Sequence, residues 1–219
     1  MNCSYCSADL IRNHTLEDLS ISPMKNGSRM IYPLCSICGH PIQIADIPDC
    51  SLAERKVILI SGTAAAGKTT IGQMLEQQTG CIFIDGDAVS KRINHLARLD
   101  TSIKVQGDIF HTETIKTMLI VLALGYTVVV GYVIGPKILA QYLDALDRYG
   151  VTPIIRVLVP ERSACLARDL DRACWTAGAR WIDQWYDEQR SYLSSHPSWC
   201  IDSTNETLNE TLRHFLKLI

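Results

Sequence analysis

The sequence has no excess of basic charge. Its 21 lysines and arginines face 23 acidic residues, a formal net charge of −2. No broad positive field therefore marks it as a DNA- or RNA-binding protein. It also lacks a long apolar run. The longest candidate, Met118–Leu124, stops at Gly125. It falls short of the ~18–20 residues a membrane span needs and reads as a buried helix end. No charged-then-apolar leader pattern opens the chain, which begins Met1-Asn-Cys-Ser-Tyr-Cys6, so a cytoplasmic protein is expected. Internal repeats and low-complexity segments are missing too. Asn13, Asn26, Asn205 and Asn209 stand in glycosylation-type triplets, which in a cytoplasmic chain are chance matches.

What is present in quantity is cysteine, nine in 219 residues. With no sign of secretion, a disulfide framework is not expected. Five of the nine (Cys50, Cys81, Cys165, Cys174, Cys200) are scattered through apolar or helical stretches. The other four form Cys3-x-x-Cys6 and Cys35-x-x-Cys38-Gly39, with 28 residues between the pairs. Each pair sets two thiolates on one tight turn, and four thiolates suit tetrahedral Zn²⁺. The interval is longer than the commonest zinc spacing and fits a zinc ribbon with an inserted hairpin. A redox dithiol would need a thioredoxin-like context, which is absent. A closed four-thiolate site has a structural role: it folds a segment too small to fold alone. Docking, dimerisation, partner binding and nucleic-acid binding all stay open for the ribbon.

The chain divides in two. Residues 1–45 are polar and hold the paired cysteines, 46–55 read as a linker, and 56–219 alternate apolar runs with amphipathic stretches. Strands are expected at Lys56–Ser61, Cys81–Asp85, Tyr126–Gly131, Ile154–Val159 and Trp199–Asp202. Helices are expected at Lys68–Gln78, Asp108–Leu124, from Pro136 to Gly150, at Glu161–Arg172 and at Ala179–Leu193. A last helix should start at a Ser203-x-x-Glu206 capping box, with a stripe of Leu208, Leu212, Phe215, Leu216 and Ile219. Such alternation means an α/β fold, a parallel sheet with helices on both faces.

Between the first strand and helix stand Gly62, Thr63, Ala64, Ala65, Ala66, Gly67, Lys68, Thr69 and Thr70. Gly62-x-x-x-x-Gly67-Lys68-Thr69 is the Walker A pattern in its required context. The glycines let backbone N–H groups converge on phosphate oxygens, and the helix adds its positive N-terminal end. Lys68 reaches the β- and γ-phosphates, and the Thr69 hydroxyl is a hard ligand for Mg²⁺. Asp85 and Asp87 follow the second strand, at the carboxyl end of the sheet where ligands bind. Alternation puts both on one side. Asp85 would hold metal-bound water. Asp87 would orient the acceptor hydroxyl and take its proton. The plainer reading is that one or both cap the helix starting near Ala88.

Residues 56–219 resemble the small-molecule kinase branch of the P-loop fold, which includes shikimate, gluconate and adenylylsulfate kinases and chloramphenicol phosphotransferase. The matching pieces are Gly62–Thr70, Phe83-Ile-Asp-Gly-Asp87, Leu166-Ala-Arg-Asp-Leu-Asp-Arg172 and Cys200-Ile-Asp-Ser-Thr204. The resemblance implies a five-stranded parallel sheet of order 2-3-1-4-5, ATP and Mg²⁺ as cofactors, and a mobile lid near 161–180. Its arginines would close over the triphosphate. Arg168 and Arg172 are four apart and share a helix face, and their forked donors match phosphate oxygens. Solvated arginines paired with Asp169, Asp171 or Glu161 are the alternative. Arg162 and Arg180 are weaker lid candidates. Trp175, Trp181, Trp185 and Tyr186 either line an acceptor pocket or pack on the core.

The chain also departs from the family pattern. Many relatives carry a carboxylate at the end of the third strand, where this chain has Gly131-Tyr132. The second Mg²⁺ contact then falls on Asp85, and Gly131 leaves room for substrate to approach the backbone. Lys91, Arg92, His95, Arg98 and Lys104 are either an anion site or a solvated helix face, and His111 is either a pocket or a surface residue. The expected function is transfer of the γ-phosphoryl group of ATP or GTP to a hydroxyl of a small molecule. Lys68, Asp87, Arg168 and Arg172 would be catalytic. The alternatives are a nucleotide or polynucleotide 5′-hydroxyl kinase, and a nucleotide-dependent switch that uses the ribbon to read a partner.

Overall fold

The computed structural model describes residues 2–9, 19–23, 29–35, 37–43, 52–90, 103–172 and 176–219. Five strands form an all-parallel sheet: β3 (Val57–Gly62), β4 (Ile82–Asp85), β5 (Val128–Gly131), β6 (Ile154–Leu158) and β7 (Cys200–Ile201). Their spatial order is β4-β5-β3-β6-β7, which is the expected 2-3-1-4-5 when the sheet is counted alone. Central β3 pairs with β5 and β6 on its two sides.

The sheet is buried on both faces because its strands, apart from Ser61, Asp85 and Arg156, are apolar at successive positions rather than at alternate ones. Val57 and Leu59 face one way, with Ile82, Ile84, Val128 and Val130. They pack on α2 (Ile103–Ala123) and α3 (Pro136–Asp147) through Met118, Val121, Leu122, Leu139, Tyr142 and Leu146. Ile58 and Ile60 face the other way, with Phe83 and Val129. They meet Ile71 and Leu75 of α1 (Lys68–Thr79) and Leu212 and Phe215 of α7 (Leu208–Leu216). Each fully buried side chain of this kind contributes about 1.5–3 kcal/mol.

Phe83 fits by means of two glycines. A Cβ on Gly72 would lie 2.1 Å from its ring, and one on Gly131 would lie 2.8 Å away. Gly131 therefore makes room for Phe83, and it also lines the cleft at the carboxyl end of the sheet.

The expected helices appear, with α4 at Arg162–Leu170, α5 at Ala179–Arg190 and a short α6 at Tyr192–Ser195. One start signal was misplaced. The capping box of α7 is Thr207 with Glu210, not Ser203 with Glu206. Ser203 is buried, and Glu206 instead accepts hydrogen bonds from the Thr211 hydroxyl and binds His214. The true cap stands immediately before the first residue of the apolar stripe, where the unsatisfied N–H groups begin.

At the N-terminal end, β1 (Leu19–Pro23) and β2 (Arg29–Pro33) form an antiparallel hairpin between the two cysteine pairs. The backbone of β2 lies beside α2 and the edge strand β4. Cys3, Cys35 and Ile42 are buried within the same cluster as Leu59, Val130 and Leu122. Among the described residues, no helix is long and apolar enough to cross a membrane.

Candidate active site

The carboxyl ends of β3, β4 and β5 open into a cleft of about 1280 Å³. Between β3 and α1 the loop turns on Gly62, at φ 146, where a Cβ would lie 2.7 Å from the Leu158 carbonyl oxygen. No other residue type fits there. Ala65 takes a left-handed conformation, φ 59, which is local backbone strain at the cradle. Ala64 to Thr70 line the cleft. Gly62 and Thr63, also expected at the phosphates, are not among its lining residues. Thr63 is buried and its hydroxyl donates to the Ile182 carbonyl of α5 at 3.1 Å.

Lys68 turns its ammonium back onto its own loop and donates to the carbonyls of Gly62 (2.8 Å) and Thr63 (2.7 Å). The residue as a whole keeps intermediate exposure, but its charged tip is enclosed. Burial depresses its pKa from 10.5 to about 8, opposed by the charge of Asp87 and reinforced by Arg172. Two carbonyl dipoles do not fully replace water around an ammonium.

Asp85 is buried at the end of β4. One carboxylate oxygen accepts the Asp87 N–H at 2.9 Å, and the other accepts the Thr69 hydroxyl at 3.4 Å. It therefore caps the helical turn of residues 86–90 and also faces Thr69. Thr69 and Asp85 present hard oxygens side by side, a donor set that fits Mg²⁺. Asp87 lines the same cleft.

Gly86 lets Tyr132 close down on this turn, since a Cβ there would lie 2.2 Å from the Tyr132 ring. Burial first, then Asp87 and Asp85, push the Tyr132 phenol up and keep it neutral. His111 is buried, edge-on to Tyr132 at 5.1 Å, with Nδ1 3.2 Å from the Tyr142 hydroxyl. It also lines the cleft, so its position is in the pocket.

Arg168 and Arg172 both line the cleft, but each is held by protein. Arg168 donates to the carbonyls of Ser203 (2.5 Å) and Thr204 (3.3 Å), tying α4 to the segment before α7. Arg172 pairs with Asp169 at 3.2 Å, the pairing the plainer reading named. Asp169 also accepts the N–H groups of Ala177 and Gly178. Against its own burial, these bonds and Arg172 hold its carboxyl below the usual range. Arg162 forms a bidentate pair with Asp183 of α5, outside the cleft lining.

Trp181, Gln184, Trp185 and Glu188 recur at helical spacing and form one face of α5 that lines the cleft. Tyr186 lies off that face, under the Arg190 guanidinium. Trp175, Lys91, Arg92, His95 and Arg98, and the Lys104 side chain, lie outside the described residues. Sequence reading missed Glu188 and the Arg168–Ser203 link. The spacing from Trp181 to Glu188 carried a signal for the first. Nothing local signals a bond between positions 35 apart.

In the N-terminal module the four thiols converge. All Sγ atoms lie within 4.8 Å of one another, with Cys3–Cys38 and Cys6–Cys35 at 3.7 Å. A tetrahedron with Zn–S bonds of ~2.3 Å has edges of about 3.8 Å, close to the two 3.7 Å separations, so the donor set fits Zn²⁺. The two turns are built alike. Ser7 donates to the Cys3 carbonyl and Gly39 to the Cys35 carbonyl, at 2.9 and 2.8 Å. Both take left-handed φ, 60 and 72. Tyr5 and His40 stack across the pair at 4.0 Å.

The sequence matches no protein-family model and no curated protein sequence. Solved structures do match. A tunicamycin resistance protein from Deinococcus radiodurans superposes with a TM-score of 0.58 at 12% identity, over 75% of this chain and 95% of that one. The fold is that of the small P-loop kinases. A gluconokinase from Sinorhizobium meliloti 1021 superposes with a TM-score of 0.52 at 14% identity, over 74% and 89% of the two chains. The Mycobacterium tuberculosis APS kinase, solved with AMPPNP and APS, gives 0.51 at 14% identity, over 75% and 96%. About a quarter of this chain lies outside each match.

Proposed function

We propose that the chain is a cytoplasmic phosphotransferase that moves the γ-phosphoryl group of ATP to a hydroxyl of a small-molecule acceptor. One observation carries this reading. The phosphate loop, Asp85, Asp87 and the two α4-side arginines open into a single cleft. At about 1280 Å³ it exceeds the ~300–1,000 Å³ typical of a one-ligand site, and so has room for nucleotide and acceptor together.

In this reading the loop amides and Lys68 bind the triphosphate, with the Lys68 ammonium exchanging loop carbonyls for phosphate oxygens. Thr69 and Asp85 would hold Mg²⁺, which when bound screens the phosphate charge. Asp87 orients the acceptor hydroxyl. A bond forms from the acceptor oxygen to the γ-phosphorus as the bond to the β-phosphate oxygen breaks. That electron pair leaves on the diphosphate, and the hydroxyl proton passes to Asp87. Arg172 steadies charge on the transferring group. Arg168 acts first as a positioning residue, through the Ser203–Thr204 segment. Zinc on Cys3, Cys6, Cys35 and Cys38 is structural.

A screen with γ-labelled ATP tests the proposal against hydroxylated metabolites, antibiotics, nucleosides and oligonucleotides. Label should pass to a hydroxyl compound, and Asp87→Asn should lower kcat by about 10²–10⁴-fold. If Asp87→Asn barely changes kcat, the acceptor is a phosphate and the enzyme a nucleotide kinase. If slow hydrolysis proceeds and no compound is labelled, the kinase reading fails in favour of a nucleotide-dependent switch.

A further inference from the structure

The cations of the cleft are confined to part of its lining. Its described cations, Lys68, Arg168 and Arg172, belong to the phosphate loop and to α4 and its end. Another part of the lining comes from α2, the segment after β5, the start of α3 and one face of α5, and it contributes Phe110, Tyr132, Ile138, Trp181, Trp185 and Glu188. No lysine or arginine lines this wall among the described residues.

Glu188 is the anomaly there. It is half-buried, and its carboxylate lies against Gly135, where a Cβ would come within 2.2 Å of Oε1. Gly135 thus admits the carboxylate to the wall. Glu188 does not take part in any of the ion pairs among the described residues. Three neighbouring carboxylates are engaged: Asp85 takes Thr69 and the Asp87 N–H, Asp169 takes Arg172 and two amides, and Asp183 takes Arg162. A carboxylate that faces the cleft from among aromatic side chains offers a cation a charged partner. Trp185 stands three residues before Glu188 on the same helix face, and Trp181 seven before. Aromatic rings beside a carboxylate form the surroundings that bind an organic ammonium group best.

We infer that the acceptor is a hydroxylated amine, bound through its protonated nitrogen by Glu188 with Trp181 and Trp185 alongside. This rests on the kinase reading above and names the acceptor class for it. It also explains why oxygen rather than nitrogen would receive the phosphoryl group. A nitrogen held protonated by Glu188 has no free electron pair, so the hydroxyl beside Asp87 is the nucleophile.

The test pairs hydroxylated amines (aminoglycosides and aryl amino alcohols) with their N-acetyl forms and with hydroxy acids of similar size, using γ-labelled ATP. The amines should be labelled in preference to both. Glu188→Gln should raise the amine's KM about tenfold or more with a smaller effect on kcat, and should narrow the gap to the N-acetyl form. Glu188→Asp should keep the selectivity. Equal labelling of N-acetyl compounds or hydroxy acids, with KM indifferent to Glu188→Gln, overturns the inference and leaves the kinase reading standing. Labelling of no compound at all overturns both.

Discussion

Lys68 is the residue on which the cleft's electrostatics turn. With a pKa near 8, its charge is lost as pH rises through that value in the nucleotide-free protein. A triphosphate favours the charged form, so nucleotide binding at about pH 9 should take up a proton. Binding enthalpy measured in buffers of different ionisation heat should then vary with the buffer at pH 9, and hardly at all at pH 6.5. Lys68→Met should abolish that dependence. The same shift has a stability consequence. Between pH 8 and 10.5 the unfolded chain binds more protons at this site than the folded one, so the Lys68 contribution becomes more favourable across that window and is a cost below it. Lys68→Met should therefore leave the Tm of the nucleotide-free protein at pH 7 unchanged or raised, while phosphoryl transfer falls about 10²–10³-fold. A lowered Tm would show that the ammonium stabilises the loop by more than its burial costs.

At the scale of elements, Phe83 shows what joins local sequence to packing. Its ring occupies the space left by Gly72 on α1 and Gly131 at the end of β5, and so sets how closely helix and sheet approach beneath the phosphate loop. Gly72→Ala puts a methyl group onto that ring and should destabilise the fold by about 1–3 kcal/mol, read from the denaturation midpoint. Adding Phe83→Leu should recover part of the loss, since the clash is with the ring alone. The strands and helices were legible because the sheet's apolar runs and the helices' glycine stops are local signals. Gly80 does end α1 in a left-handed turn that donates to Glu76. The roles of Gly72 and Gly131 were not legible, because each is set by a residue from another element. The box at Ser203 failed for a related reason. The pattern matched, but tertiary burial of Ser203 and its link to Arg168 claimed that segment. Of the cleft, the phosphate loop and the Asp85–Asp87 pair could be read from contiguous residues. The α5 wall could be read only as unassigned aromatics.

At the scale of the molecule, the cysteine module is not an independent bead on a linker. Cys3, Cys35 and Ile42, each 1–3% exposed, are packed into the cluster that covers one face of the sheet. The backbone of β2 runs beside edge strand β4, a position that shields the edge from pairing with other chains. Loss of the metal should therefore weaken the kinase fold as well as the module. All four tryptophans, Trp175, Trp181, Trp185 and Trp199, lie outside the module, so a melt followed by tryptophan fluorescence reports on the remainder of the chain alone. Purified protein should carry one zinc per chain. Cys35→Ser, or stripping the zinc with a chelator, should lower that Tm by roughly 5–10 °C, the shift that a loss of ~2–3 kcal/mol produces in a chain of this size. Cys200→Ser, which removes a thiol remote from the cluster, controls for the substitution itself. If zinc is lost and the fluorescence Tm does not move, the module is only tethered, and its packing against the sheet contributes nothing to the kinase fold.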